Sequence, residues 1–299
     1  MELSIIILNW NAAIDTVRCV QAIAGWSRLE PSIWVVDNAS TDGSAQVVAA
    51  QCPQVQLICN TVNLGYAAGN NQGIIQALAR GDAPVLLLNN DAVVAEEDIV
   101  ALLETLQSNP RTGFVGPLLF NADQQDELLA AGGQNIVCHL SSHLANVPDD
   151  QPVYFVDYVP GTVLLARAAA LRRVGLLDPD YFFTGEIPDL CQRARQQGYL
   201  TAVNSRAKAF HALGRSSGLR GTLYPYYIIR NRFLFIRKFY RYRRILFYGF
   251  WGFYSLALSV KLQVAGRLST ARAIRLGLKD GLQGRFGGQN ERVLAIISN

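Results

Sequence analysis

Four stretches in the first 91 residues place Asn, Asp or Gly where an apolar run ends: Ser4-Ile-Ile-Ile-Leu-Asn-Trp-Asn11, Val35-Val-Asp-Asn-Ala-Ser-Thr-Asp-Gly43, Asn63-Leu-Gly-Tyr-Ala-Ala-Gly-Asn-Asn71 and Leu86-Leu-Leu-Asn-Asn-Asp91. Continuous apolar runs of this length suit strands buried on both faces of a parallel sheet. In such a sheet the carboxyl ends of the strands border the ligand crevice, so polar residues repeated there describe a site. The runs alternate with helical periodicity. Leu3–Leu8 reads as a strand, and Ile14, Val17, Val20, Ala22 and Ile23 give a helical face. Strands over Ser32–Val36, Val55–Cys59 and Val85–Leu88 alternate with helices over Ala45–Ala50 and Ala67–Ala79. This order predicts an α/β fold with a doubly wound, mostly parallel sheet.

After Asp91 the rhythm changes. A helix is expected over Glu96–Gln107, with acids at its positive N-terminal end, and a strand over Gly113–Phe120. From 121 to 158 no period survives, and loops with short antiparallel strands are expected. An apolar run at Val163–Ala166 and helices at Ala168–Val174 and Asp189–Gln197 follow. Residues 1–221 are read as one domain and 222–299 as a helical C-terminal region.

Charge divides the chain in the same sense. Residues 1–204 carry a net −12 and residues 205–299 a net +16, so the two parts meet different surroundings. Between Arg230 and Arg244 seven Lys/Arg interleave with five aromatics, and Ile245–Val260 is 16 residues without a formal charge. That run spans about 24 Å as a helix, less than the ~30 Å hydrocarbon core, which predicts an interfacial helix on an anionic leaflet. A helix pair packing on the preceding domain, or on a second subunit to give a homo-oligomer, is the competing reading. No nucleic-acid-binding module accompanies the basic residues, so nucleic acid is not expected as a partner. Five scattered cysteines without ligand spacing predict reduced thiols, and with no basic n-region or small-residue cleavage site at the first apolar run a secretory signal is not expected. Both point to the cytoplasmic side of a membrane.

The strand ends supply the candidate site residues. Asn9, Asn11 and Asp37 stand where a base or ribose would be met, although Ser40 and Thr41 beside them also suit a plain helix cap. Asn63, Gly65 and Asn70 lie in a glycine-bearing turn before a helix, where backbone and ligand can approach. Asn89, Asn90 and Asp91 end the fourth strand. A single Asp there suffices for Mg2+ or Mn2+, which completes its shell with phosphate oxygens and water. Downstream, Glu186 and Asp189 lie beside Tyr181, Phe182 and Phe183, as carboxylates able to take a proton. His211, followed by Gly214-Arg-Ser-Ser-Gly218, is a candidate metal or diphosphate ligand, weighed against a satisfied structural histidine.

Taken in order, these segments, with Pro160-Gly-Thr-Val-Leu-Leu-Ala-Arg167 and Tyr227-Ile-Ile-Arg-Asn231, resemble the inverting family 2 glycosyltransferases of the GT-A fold. The resemblance covers about residues 3–240 and is closest to the bacterial rhamnosyltransferase-like branch that builds surface polysaccharides. It implies a nucleotide-binding half, an acceptor-binding half and a membrane-associating helical extension. It implies sugar transfer from a nucleotide diphosphate sugar to a saccharide or lipid-linked acceptor. Asp37 would touch the nucleotide, Asp91 would hold the metal in a motif whose first acid is here Asn89, and His211 and Arg230 would lie by the diphosphate. Relatives carry Glu-Asp or Glu-Glu, one residue, then Asp-Leu; here the pattern reads Glu186-Ile187-Pro188-Asp189-Leu190, with Ile187 at the place of the expected base. Glu186 is the preferred substitute and Asp189 the reserve. Because a general base contributes about 10²–10⁴-fold, its loss leaves a slow enzyme or a catalytically impaired homologue that binds nucleotide sugar and organises a membrane assembly. A nucleotidyltransferase is disfavoured, since Asn9-Trp-Asn-Ala-Ala13 lacks a glycine-rich basic loop.

Overall fold

Strand β1 (Glu2–Asn9) is apolar on both faces and lies inside the sheet, where both faces are covered. The computed structural model describes residues 1–148, 151–212 and 222–297 of the chain. β2 (Glu30–Asp37) and β4 (Val85–Asn89) flank β1 in parallel, and β3 (Gln56–Cys59) lies beyond β2. Their crossovers are helices α1 (Ala13–Ala24), α2 (Ser44–Gln51) and α3 (Gly65–Arg80).

Beyond β4 the sheet turns mixed. Its order is β3-β2-β1-β4-β9-β6-β10-β5, with β9 (Val163–Ala166) antiparallel to both β4 and β6 (Thr112–Asn121). β10 (Leu200–His211) runs parallel to β6, and the short edge strand β5 (Ala92–Val94) pairs antiparallel with the end of β10. β7 (Leu128–Ala130) and β8 (Val153–Val156) are short antiparallel additions, as expected for the aperiodic segment. α4 (Glu96–Ser108) and α5 (Ala168–Val174) complete this part. β5 and the full length of β10 are not foreseen by periodicity. β5 has only three residues, and β10 interrupts its apolar run with Asn204, Ser205, Arg206 and Lys208. Helix α6 (Glu186–Gln196) begins at Glu186 rather than Asp189. Pro188 falls in its first turn, where a backbone N–H has no intrahelical partner to lose.

The chain forms two compact units. The first comprises Met1–Asn135, Ser141–Leu177 and Ile187–Arg215, and the second Ile136–Leu140, Asp178–Glu186 and Ser216–Asn299. The second is therefore not the contiguous 222–299 of the sequence reading, because two excursions of the preceding chain are bound into it. Arg232 Nε donates to Ile136 O and Trp251 Nε1 to Val137 O, while Arg230 and Asn231 bind carbonyls of the 180–184 segment.

Among the described residues, four α-helices build the second unit: α7 (Leu223–Phe239), α8 (Arg244–Val264), α9 (Leu268–Gln283) and α10 (Asn290–Ile297). α7 and α9 approach backbone to backbone at Gly277, where a Cβ would stand 2.5 Å from Tyr226 O. Helix α8 has 21 residues, about 31 Å at 1.5 Å per residue, longer than the uncharged run because it continues through Lys261 to Val264. It is long and apolar enough to cross a membrane by length and composition. Its faces are inverted for a helix in water: Ser255 and Ser259 are fully buried, while Ile245, Phe253 and Val264 are 89%, 77% and 84% exposed. Among the described residues no disulfide forms.

Candidate active site

Parallel register brings the polar strand ends together. Asn9 pairs with Asp37 across β1 and β2, and Leu8 pairs with Asn89 across β1 and β4, so three strand termini share one edge. Side chains join them into a relay. Asn90 Nδ2 donates to Thr16 Oγ1 at 2.9 Å, Thr16 Oγ1 donates to Asn9 Oδ1 at 2.7 Å, and Asn9 Nδ2 donates to Asp37 Oδ2 at 2.7 Å. Ser40 N donates to the other oxygen, Asp37 Oδ1, at 2.9 Å. A carboxylate offers about four lone-pair sites, so Asp37 arrives fixed in orientation with acceptor capacity left for a ligand N–H or O–H.

This geometry corrects the direct ligand role expected for Asn9. Its side chain is wholly buried, and what it does is aim Asp37. Asn11 is exposed, in the left-handed region at φ +52°, and its Oδ1 accepts from Thr41 N. Asn63 is half-buried and its Oδ1 accepts from Gly65 N and Asn38 Nδ2, so that carbonyl staples the turn. The buried Asn38 joins the same turn, its Oδ1 accepting from Asn60 Nδ2 and Leu64 N. Gly65 adopts φ +76° at the start of α3. Asn70, expected at the ligand, is buried with its Nδ2 on Tyr66 O in its own helix. The next glycines serve packing: a Cβ on Gly69 would stand 2.7 Å from Leu8 Cδ1, and one on Gly73 2.6 Å from Ile6 Cγ2. They let α3 lie directly on β1.

Asp91 and His211 meet because β10 and β5 pair antiparallel, with His211 opposite Ala92 and Ala212 N donating to Asp91 O. His211 Nε2 lies 3.1 Å from Asp91 Oδ1, a buried oxygen without a hydrogen bond, so the two are close but not aligned as donor and acceptor. That arrangement fits a metal. Two adjacent ligands of an octahedral Mg2+, each about 2.1 Å from the ion, stand about 3 Å apart. Among the described residues no cluster of three His, Cys, Asp or Glu completes a cage. A hard divalent ion held by few protein donors fills its shell with phosphate oxygens and water. A cavity of about 280 Å3 adjoins Asp91, lined by Asp15, Arg18, Cys19, Asn90 and Asp123 among others. Burial, then the charge of Asp91, push the Cys19 thiol up to about 12, which keeps it an inert neutral group beside the site. The Gly214–Gly218 segment lies outside the described residues.

The downstream acids part company. Glu186 is buried at the first position of α6 and follows a strained turn in which Phe182, Thr184 and Gly185 have φ of +60°, +65° and +90°. Left-handed backbone at the two non-glycine positions costs on the order of 1–3 kcal/mol each. Asp189 is corrected as a reserve base. It is fully buried, and its Oδ2 accepts from Arg193 Nε at 2.6 Å, while the rest of that guanidinium binds Val174 O and Leu176 O. A carboxylate so bound is a structural anion. Ile187 is buried, and a Cβ on Gly161 would meet its Cγ1 at 3.0 Å. Arg230 is also corrected: it is wholly buried, with Nε on Asn231 Oδ1 and its terminal nitrogens on Gly287 O, Asp180 O and Tyr181 O. These four hydrogen bonds are spent on carbonyls of this chain and not on a phosphate.

Residues 4–130 match the family model described as glycosyl transferase family 2. Over that stretch, 127 of 299 residues, the chain is similar to this family. It is 29% identical over 214 residues to the N-acetylglucosaminyl-diphospho-decaprenol L-rhamnosyltransferase of Mycobacterium tuberculosis, a match that covers 62% of this chain and 68% of that protein. It is 24% identical over 231 residues to the galactofuranosyltransferase GlfT1 of Mycolicibacterium smegmatis, covering 71% and 76%. In fold it is similar to GalNAc-T7, solved with UDP, GalNAc and Mn2+ (TM-score 0.65, 13% identity, 95% of this chain), although it spans only 56% of that chain. It is also similar to the mannosyltransferase PcManGT from Pyrobaculum calidifontis, solved with GDP-Man and Mn2+ (TM-score 0.58, 16% identity, 98% and 78% coverage). The fold is that of GT-A glycosyltransferases.

Two residues that sequence reasoning passes over tie distant segments together, Thr16 at the site edge and Glu96 at the start of β2. Thr16 reads as one more residue of the buried stripe of α1, yet its hydroxyl joins Asn90 to Asn9. Glu96 reads as a helix-start acid, yet its carboxylate accepts from the backbone N–H groups of Ser27, Arg28 and Leu29. The available signal is a Thr, rather than a Val, on an otherwise apolar helix face.

Proposed function

We propose that this protein transfers a sugar, with inversion, from a nucleotide diphosphate sugar to a saccharide or lipid-linked acceptor in cell-surface polysaccharide synthesis. The observation that carries the proposal is the Asp91–His211 pair, an unbonded buried carboxylate oxygen beside an imidazole at the edge where Asp37 is held ready. The names of the mycobacterial relatives support a polyprenyl-diphosphate-linked acceptor and a deoxysugar or furanose donor.

Asp37 accepts from the nucleotide and fixes its register on the strand ends. Asp91 and His211 would hold Mg2+ or Mn2+, which supplies electrostatic stabilisation of the departing diphosphate. Glu186 takes the proton of the acceptor hydroxyl as that oxygen forms its bond to the anomeric carbon. The bond from that carbon to the diphosphate oxygen breaks, and its electron pair leaves with the diphosphate. Single displacement from the opposite side inverts the centre.

The inverted faces of α8, with exposed Arg241, Arg243 and Arg244 at its start, support peripheral attachment to the anionic inner face of the cell membrane. Arg275 of α9 donates to Ser259 of α8 at 3.2 Å, so a crossing orientation would carry a guanidinium towards the hydrocarbon, whereas an in-plane one leaves it in water. Flotation with anionic vesicles tests this; a stable dimer that hides the same face without vesicles would replace it.

Transfer of radiolabelled sugar from nucleotide donors to membrane extract, with and without Mn2+, tests the main reading. Asp91→Asn should abolish transfer and metal-dependent donor binding, and unchanged binding and transfer would reject it. Ile187 favours a second reading, an impaired homologue that still binds donor. That reading is upheld if donor binds tightly and no acceptor extract supports transfer.

A further inference from the structure

We propose that Asn231 is a positioning residue that sets Glu186 by clamping the turn before it, an inference that rests on Glu186 acting as the base. The Asn231 amide nitrogen lies within hydrogen-bonding distance of three carbonyls of that turn: Tyr181 O at 3.0 Å, Phe183 O at 2.9 Å and Thr184 O at 2.6 Å. An NH2 group has two hydrogens, so they are shared over three acceptors, and the amide is saturated by the turn alone.

Arg230 dictates which way that amide faces. Its Nε donates to Asn231 Oδ1 at 2.9 Å, which forces the NH2 towards the turn, and its terminal nitrogens bind Asp180 O and Tyr181 O. Adjacent residues of α7 thus hold four successive or near-successive carbonyls, those of 180, 181, 183 and 184. Gly287 N also donates to Asp180 O, and Lys238 Nζ reaches Asp178 Oδ2 at 2.7 Å.

What is held would not hold itself. Phe182 and Thr184 occupy left-handed backbone that L-residues avoid, and the buried Thr184 Oγ1 has no hydrogen-bond partner. A Cβ on Gly185 would stand 2.8 Å from Tyr181 Cδ1, so the turn is also crowded. Strain maintained by a dedicated donor group, two residues before a buried carboxylate, is the arrangement expected where a reactive group must be presented in one orientation. It also explains why Arg230 and Asn231 are buried together in α7 instead of facing a ligand.

The test is a double-mutant cycle in the full chain with the transfer assay. Asn231→Leu removes the donors at similar volume, and a displaced base predicts at least a tenfold fall in kcat with the donor KM within twofold. In a Glu186→Gln background the same substitution should cost nothing further, because the group it positions is already disabled. A fall that repeats in full on the Glu186→Gln background, or wild-type kcat in folded Asn231→Leu, overturns the proposal. If Asn231→Leu does not fold, Arg230→Lys, which lacks the Nε donor to Asn231 Oδ1, is put through the same cycle with the same criteria. Wild-type protein without transfer defeats the functional reading, and full turnover by Glu186→Gln defeats the base assignment; both outcomes differ from failure of the clamp.

Discussion

Thr16→Val isolates the relay at the donor edge. The replacement keeps the shape of a fully buried side chain and deletes one hydroxyl, which donates to Asn9 Oδ1 at 2.7 Å and accepts from Asn90 Nδ2 at 2.9 Å. Asn9 is 0% exposed, so its carbonyl loses that partner without gaining water, at a cost of about 1–3 kcal/mol. Asn90 is half-buried and can be rehydrated, so it adds little. Thr16→Ser keeps the hydroxyl and loses one methyl, about 0.8 kcal/mol. The more apolar substitution should therefore be the more damaging, opposite to the usual order in a core. Each kcal/mol lowers Tm by roughly 2–4 °C in a chain of this size class. With Asn9 no longer aligned, Asp37 loses its aim, and nucleotide diphosphate affinity should fall about tenfold, equivalent to ~1.4 kcal/mol. Urea unfolding and nucleotide titration of both variants measure this. If Thr16→Val is as stable as Thr16→Ser and binds nucleotide like the parent, the relay carries no energy and the argument fails.

Other expected outcomes address packing, charge and pH. Gly73→Ala drives a methyl to 2.6 Å from Ile6 Cγ2 and should destabilise by about 1–3 kcal/mol in denaturant titrations. Asp189→Asn uncouples a buried ion pair and should cost about 3 kcal/mol of stability, while the kcat of the protein that remains folded changes little, the reverse of Glu186→Gln. For Glu96, burial would raise the carboxyl pKa, but the N–H groups of Ser27, Leu29 and Arg28, helped by the Arg28 charge, hold it below its ordinary 4.5. Its contribution is therefore fully present above that value and lost as pH falls through the lower folded one. Glu96→Gln should lower stability at neutral pH and flatten the acid limb of a stability profile; an unchanged limb would show that Glu96 is not the group responsible.

The donor half is legible in the sequence because its information is local. β1, β2, β3 and β4 are unbroken apolar segments separated by short amphipathic helices, and their polar ends fall together once parallel register is assumed. Deciding which polar ends face a ligand is harder. Asn9, Asn70 and Arg230 have the residue types of ligand contacts, yet each satisfies itself inside the protein. Hydrogen-bond saturation depends on partners up to 57 residues away, as for Arg230 and Gly287, and periodicity carries no record of it. The helix start at Glu186 is obscured by Pro188, which looks like a boundary but is harmless within a first turn. β5 and β10 are obscured by shortness and by interspersed polar residues.

The pairing of β5 with β10 also dictates an order of assembly. Asp91 emerges early in synthesis with the contiguous β1–β4 segment, whose contacts are short in sequence, while its imidazole neighbour is 120 residues further along and docks only when the last strand closes on the edge of the sheet. If Asp91 and His211 hold a metal as proposed, a nascent chain that has not yet added β10 has only one of the two donors. On that reading, affinity for a divalent ion should rise when the sheet is finished, and ion binding would report completion of this unit.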